Sequence, residues 1–388
     1  MYYVALIILI MDWVIPLWML IYVPQKKSPA AARTWLILIF LFPFAGLFLY
    51  LYFGRVYVPR LRMKMHNKAS ERIEVAQAQF GTYLLDTRVN LPEECRHVAA
   101  LTQKMGDLDA VGGNRLELID DYNAALERLV ADIDAAQHHV HLLYYIFAND
   151  SAGRQVADAL LRAAGRGLQC RVLLDYLGSH GSLKTLGAEL SSAGIEVIPL
   201  LPVGPFRKNA ARFDLRNHRK IAVLDGRVGY IGSQNIVRAD FKRGLVFEEL
   251  VVRAEGPIVT QFQVTLLADR YYETETVISG EGLYSPDWEA GSTIAQLLPS
   301  GPGYGRASVQ QLLVALMYGA RSRVVITTPY FIPDEPLLEA IETAVLRGVE
   351  VHLILSRDRD QILVGFAQQS FYEQLLAMGV RIHLYQPR

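Results

Sequence analysis

The chain has 388 residues, of which 52% are hydrophobic, with 39 basic residues against 39 acidic ones. That length allows a full core and more than one structural unit, and the balanced charge lacks the basic excess that a nucleic-acid partner calls for. Two cysteines, Cys95 and Cys170, exclude a disulfide framework, lack the spacing of a zinc site and fit a reducing compartment.

Much of the apolar excess lies at the front. Tyr2 to Val23 carries Asp12 as its only charge, and Thr34 to Phe53 carries none. Each run is long enough to cross a hydrocarbon core of about 30 Å as a helix. With the Pro24–Arg33 turn between them, residues 1–56 are expected to form a two-helix transmembrane hairpin. A cleaved signal peptide would need a basic start and would leave the second run unexplained. Pro16 and Pro43, inside the runs, point to a kink or a protein-facing side. Arg55, Arg60, Arg62, Lys64, Lys68 and Arg72 follow, a cluster that favours holding the main domain on the cytoplasmic side and that suits anionic headgroups. Residues 57–110 read as a connector with some helix.

An internal repeat follows, with a first half over 111–290 and a second over 291–388. Tyr122 to Gln137 has helical spacing, with Leu126, Leu129, Val130 and Ile133 on one face. His139 to Phe147 reads as a strand, Arg154 to Arg166 as a helix ended by Gly167, and Cys170 to Leu174 as a second strand. Ser182 to Ala193 is again helical, and Gly194 leads into a strand over Ile195 to Leu200. The second half keeps this order: a helix over Ser308 to Ala320, a strand over Val324 to Ile332, and a helix capped by Asp334 with Pro336 in its first turn. Arg347-Gly348-Val349-Glu350-Val351 parallels Arg166-Gly167-Leu168-Gln169-Cys170, and Gly379-Val380-Arg381-Ile382 parallels Gly194-Ile195-Glu196-Val197. Alternating helices and short apolar runs predict an α/β fold with a largely parallel sheet. A ligand site between the two halves is the natural expectation.

Within the first half, after these elements, lies Asn217-His218-Arg219-Lys220-Ile221-Ala222-Val223-Leu224-Asp225, then Gly232-Ser233-Gln234-Asn235. On an extended strand His218 and Lys220 share a face, with Arg219 opposite. Asp225-Gly226 signals a hairpin turn, which returns the chain so that Ser233 and Asn235, also two apart, lie beside the imidazole and the ammonium. A neutral imidazole can attack phosphorus, and a carboxylate can hold its other nitrogen in the right tautomer. Lys220 and Asn235 can stabilise the non-bridging phosphate oxygens as charge develops. This chemistry requires no metal or cofactor. The tract His138-His139-Val140-His141 straddles a helix end and a strand and reads as packed or solvated. Glu248-Glu249 is either near the phosphate site or strand-edge charge.

The spacing H-x-K-x4-D-x6-G-S-x-N resembles the HKD pattern of the phospholipase D superfamily, whose members carry it twice. Within that superfamily the chain looks most like bacterial cardiolipin synthases, through the two apolar runs, Asn114-Arg115-Leu116-Glu117-Leu118, His141–Phe147, Leu215–Lys220, Gly256-Pro257 and Thr328–Asp334. The resemblance implies duplicated phospholipase D-like halves behind a membrane anchor in the bacterial inner membrane. It implies phosphatidyl transfer between two phosphatidylglycerol molecules through a phosphatidyl-histidine, with release of glycerol. His218 would be the nucleophile or the general acid, with Lys220 and Asn235 as phosphate ligands and Asp225 and Ser233 in support. No second HKD pattern occurs before Arg388, so the second half is expected to be incomplete, as from a truncated product, and the chain alone to be weakly active or inactive. A homodimer pairing two His218 sites is the other arrangement implied. Hydrolysis by water, as a phospholipase D-type phosphodiesterase, and a non-catalytic lipid-binding role are the competing readings. The expected partners are phosphatidylglycerol, other anionic phospholipids and the membrane, with no nucleic acid.

Overall fold

The computed structural model describes residues 2–54, 89–204, 214–278, 282–285, 289–301, 308–358 and 360–386, in two units, residues 1–60 and 61–388. The basic cluster from Arg55 to Arg72 lies outside the described residues.

In the first unit the apolar run Tyr2–Tyr22 forms helix α1, and it is the one described helix long and apolar enough to cross a membrane. The second apolar run departs from expectation. It divides into α2 (Pro29–Leu41) and α3 (Pro43–Leu49), and α3 runs on into a π-helical turn over Tyr50–Gly54. The break is at Phe42, whose φ of -138° and ψ of 78° leave the helical region. Pro43 causes it: the ring disfavours a helical residue before it and supplies no N–H, so it opens a new helix. At about 1.5 Å per residue, α2 spans only about 20 Å. α3 lies close against α2 because Gly46 has no side chain; a Cβ there would come within 2.7 Å of the Ile39 Cα. Ile15, Met19, Val23, Ile39 and Tyr50 form the unit's core.

The second unit opens with α4 (Glu93–Gly106) and β1 (Val111–Ile119), followed by α5 (Tyr122–Ala135), β2 (His139–Tyr144), α6 (Ser151–Gly165) and β3 (Gln169–Asp175). α7 (His180–Lys184) and α8 (Leu186–Ser192) replace the single helix expected there, and lead to β4 (Glu196–Leu200). Then come β5 (Ile221–Leu224), β6 (Val228–Gly232), β7 (Val251–Glu255), α9 (Ile258–Thr274) and β8 (Thr293–Ala295). These eight strands make one sheet in the order β4-β3-β2-β5-β6-β7-β1-β8. It is mixed rather than largely parallel: β2, β3 and β4 run parallel, and every pairing from β2–β5 onward is antiparallel. The Asp225-Gly226 turn is one reason, since its two residues take φ of 53° and 63° and reverse the chain within a tight hairpin. β8 pairs with β1, so the first sheet extends past residue 290.

Side-chain alternation seals the first sheet on both sides. Leu142, Tyr144, Val172 and Leu174 pack under α5 and α6, while Leu143, Leu173, Ile221 and Val223 pack against Ile258, Phe262 and Leu266 of α9. The second half is separate: α10 (Ser308–Gly319), β9 (Arg323–Thr327), α11 (Glu335–Leu346), β10 (Glu350–Ser356), α12 (Ile362–Gln369), α13 (Tyr372–Met378) and β11 (Arg381–Tyr385). Its three strands form their own parallel sheet in the order β11-β10-β9 rather than joining the first. Asp334 caps α11 through Leu337 N–H at 3.3 Å, as its sequence position predicts.

Candidate active site at the carboxyl ends of the parallel strands

β2 and β3 end at Tyr144 and Asp175, and the residues just past a parallel strand's carboxyl end commonly form a ligand crevice. Leu215 to Lys220 crosses that edge before β5 begins at Ile221, so His218 and Lys220 precede the strand rather than lie in it. The expected alternation nonetheless holds. The His218 ring stacks on Tyr145 with centroids 3.9 Å apart and planes 16° apart, and Lys220 Nζ lies 5.6 Å from the same Tyr145 ring. Lys220 Nζ also donates to the His218 carbonyl at 2.7 Å. Arg219 points elsewhere, donating to Asp269 at 2.5 Å and to the Ser300 carbonyl at 2.6 Å.

Two buried carboxylates, which the spacing of the motif did not reveal, shape this crossing. Asp175 is fully buried and accepts hydrogen bonds from the backbone N–H groups of Leu177, Gly178 and Asn217, with the Arg216 guanidinium 3.7 Å away. Asp269, on α9, accepts from the Asn217 side chain at 2.9 Å as well as from Arg219. Residues 216, 217 and 219 are thereby fastened, and His218 between them is left exposed against Tyr145.

The GSQN segment arrives from β6. Asn235 Oδ1 accepts the Ile146 N–H at 3.0 Å, which leaves the Nδ2 end of the amide to serve as a donor. Ser233 is occupied at the neighbouring strand: Leu250 N–H donates to its hydroxyl at 3.1 Å, and its side chain also bonds Glu249. Ser233 therefore sets the position of Glu249 beside Lys220. Of the two readings open for Glu248-Glu249, the mutual charge effect of Glu249 and Lys220 favours an approach to the site.

Asp225 does not join this group. Its carboxylate accepts the backbone N–H groups of Gln137, His138 and His139 at 2.7, 2.8 and 2.9 Å, at the opposite end of β5 from His218. Seven residues of extended chain separate the two, roughly 23 Å at 3.3 Å per residue. Among the described carboxylates, the one whose charge bears on the His218 imidazole is Asp175. Two of the first half's other histidines are core residues: His139 and His141 are buried with rings 4.4 Å apart, while His138 and His180 are exposed.

The electrostatics suit attack on an anion. Burial, followed by the Lys220 charge, holds the His218 imidazole below its usual value, with Asp175 opposing them. A lowered pKa keeps the ring neutral at pH 7, with a nitrogen lone pair available. Burial brings the Lys220 ammonium down to about 8, with Glu249 opposing. Burial raises the Glu249 carboxyl, and its Ser233 hydrogen bond and Lys220 oppose the shift. Imidazole and ammonium thus both lie against the Tyr145 ring, the Asn235 amide is bonded to the neighbouring Ile146, and the charges of Asp175 and Glu249 act on the imidazole and the ammonium in turn.

The chain is similar to known proteins over most of its length. Residues 129–269 and 313–388 match the family described as "Cardiolipin synthase, PLD-like domain", and residues 4–55 match "Phospholipase_D-nuclease N-terminal". Cardiolipin synthase A of Serratia proteamaculans (strain 568) is 33% identical over 383 residues, covering 93% of this chain and 76% of that protein. Cardiolipin synthase A of Yersinia pseudotuberculosis serotype O:1b is 32% identical over 388 residues, with the same coverage. Among solved structures, the phosphatidylserine synthase of Haemophilus influenzae Rd KW20 aligns at TM-score 0.49 and 14% identity, over 75% of this chain and 77% of that one. With an HKD segment at the strand ends and matches spanning both halves, the chain belongs to the phospholipase D superfamily, in its cardiolipin synthase family.

Proposed function

We propose that the His218 site transfers a phosphatidyl group from one phosphatidylglycerol to the hydroxyl of a second, forming cardiolipin and releasing glycerol. The observation that carries this reading is an exposed imidazole, held neutral and stacked on Tyr145, with the Lys220 ammonium on the same side. Those features favour the nucleophile's part for His218. A ring nitrogen attacks phosphorus, the P–O bond to glycerol breaks, and the departing oxygen takes a proton from the general acid that a second HKD pattern supplies. The attacking hydroxyl of the second lipid then reverses these steps, losing its proton as the P–N bond breaks. Lys220 and the Asn235 amide meet the non-bridging oxygens, where a positioned donor contributes most as charge builds up. Asp175 and Asp269 hold the segment, and Asp225 supports the fold rather than the reaction. α1 anchors the chain in the bacterial inner membrane, the second apolar run adds two short helices meeting at Pro43, and the α/β unit lies on the cytoplasmic side.

The test follows labelled phosphatidylglycerol in membranes containing the chain, with and without a supplied segment bearing a second HKD pattern, since these 388 residues contain one. Cardiolipin and a phosphate-labelled histidine are expected, both reduced at least about a thousandfold in His218→Ala. The rate should fall on the acid side, at a pH lower than an ordinary imidazole would give, as His218 takes up a proton, and again above about pH 8 as Lys220 loses its charge. Phosphatidic acid in place of cardiolipin would mean that water is the acceptor. Exposed Cys95 provides the test of sidedness: an impermeant maleimide should label it only in inverted vesicles.

A further inference from the structure

Helix α12 is amphipathic the wrong way round for an aqueous surface. Ile362, Leu363 and Phe366 are 71%, 84% and 61% exposed, and positions i, i+1 and i+4 lie within one side of a helix. The inward side carries Gly365 and Gln368. Gln368 is fully engaged there: its Oε1 accepts the Phe331 N–H at 2.8 Å, and its Nε2 donates to the Tyr372 hydroxyl at 2.9 Å. The helix is thus fastened with its polar glutamine inside and its apolar stripe outside.

The start of α12 is tied to the loop that follows the GSQN segment. Asp360, two residues before α12, accepts from Lys242 at 2.8 Å and from the Tyr330 hydroxyl at 2.5 Å. Lys242 belongs to the loop that follows the GSQN segment and precedes Glu249. Its ammonium lies 5.8 and 5.9 Å from the Phe241 and Phe247 rings, which meet at 4.7 Å. The Phe247 N–H closes the loop on the Ala239 carbonyl at 2.8 Å, with Val246 and Arg243 exposed on it. A loop with an exposed cation beside aromatic and aliphatic side chains matches the boundary between anionic headgroups and acyl chains.

We propose that α12 and the 239–247 loop form a shelf that docks on the acyl-chain layer of an anionic phospholipid bilayer. Ile362, Leu363, Phe366 and Val246 enter the hydrocarbon and Arg243 meets the headgroups. A lipid phosphate then reaches His218 without its chains crossing water. The shelf names the partner surface of the site proposed above and rests on that reading.

Docking is read by a method that does not use turnover. Leu363→Cys in a Cys95→Ser background, labelled with an environment-sensitive fluorophore, is reconstituted as the full chain in phosphatidylethanolamine–phosphatidylglycerol vesicles. Blue-shifted emission quenched by nitroxides on the acyl chains is expected, unchanged when His218→Ala is added. Emission of a water-exposed probe overturns the proposal. Burial of the probe that depends on protein concentration in detergent and escapes the nitroxides also overturns it, in favour of a second copy of the chain. Separately, Ile362→Ser with Leu363→Ser should lower kcat/KM about tenfold or more on vesicles and less than twofold on a short-chain, water-soluble phosphatidylglycerol. Equal loss on both substrates counts against the shelf. Quenching in a chain that shows no turnover even with the supplied second-HKD segment leaves the shelf standing and rejects the transferase reading instead.

Discussion

The two halves share a parallel three-strand unit, and register identifies matching positions in it. Across β2, β3 and β4, His141 lies opposite Arg171 and Arg171 opposite Glu196; across β9, β10 and β11, Val325 lies opposite His352 and His352 opposite Arg381. In the first half α9 covers this face. Gln263 bonds His141 Nδ1, Arg171 lies 2.7 Å from His141 Nε2, and Arg270 bonds Glu196 at 2.6 Å. In the second half the same face is a concavity of about 360 Å³ lined by Arg323, Val325, Glu350, His352, Ile354, Arg381 and His383, and Val325 is 54% exposed. The strand ends differ as well. Asp175 is fully buried where β3 finishes, and Ser356 is exposed where β10 finishes. One covering helix therefore decides whether a polar side chain at a given register is part of the core or part of the surface. The half so covered is the one that holds the HKD segment in place.

Matched substitutions can break this comparison. The largest effect is expected at the strand ends: Asp175→Ala, which leaves Arg216 buried without its carboxylate, should cost about 3–5 kcal/mol. Ser356→Ala should stay within about 0.5 kcal/mol. Denaturant titration of the full chain reads both, and equal losses would show that burial is not the deciding variable. Next, Asp225→Ala removes the acceptor of three backbone N–H groups and should cost about 2 kcal/mol, while kcat of the folded protein changes less than twofold. A loss of kcat comparable to that of His218→Ala would return Asp225 to the chemistry.

The smallest effects are expected on the sheet faces, where His141→Leu should cost about 1–2 kcal/mol and His352→Leu less than about 0.5. The covered face should also respond to pH. Burial holds the His139 imidazole down to about 4 and His141 well below its usual value. An unfolded imidazole takes up a proton from about pH 6.5 downward, whereas the folded ones resist, so protons favour unfolding in that window. Stability from these two groups is complete above pH 6.5 and declines as the pH falls towards 4. His141→Leu should make that decline shallower, and His352→Leu should leave it unchanged.

What could be read from the residues was what is local. The duplicated order of elements, the Asp225-Gly226 reversal and the shared side of His218 and Lys220 all follow from periods of 3.6 and 2 or from turn chemistry. The partners of the site depend on the fold. Asp175 reaches Asn217 across 42 residues and Asp269 reaches it across 52, and no spacing rule joins them. The place of Asp225 at the far end of β5 was not legible either, because a motif spacing does not say on which end of a strand a residue falls. The division of the second apolar run turned on one residue, Pro43, whose local effect outweighed twenty residues of uniform hydropathy. The expected parallel sheet failed for a similar reason, because apolar runs mark buried strands but not their direction.

The grip of Asp225 on three amides at the far end of β5 has a consequence for fidelity. Strand side chains alternate with a period of two, so a slip of one residue would present Arg219 on the Tyr145 side and turn both His218 and Lys220 away. With the turn tied to the α5–β2 junction, the phase of the whole hairpin is checked about 20 Å from where it matters. An insertion within Ile221–Leu224 should therefore silence the enzyme while leaving every reacting group intact.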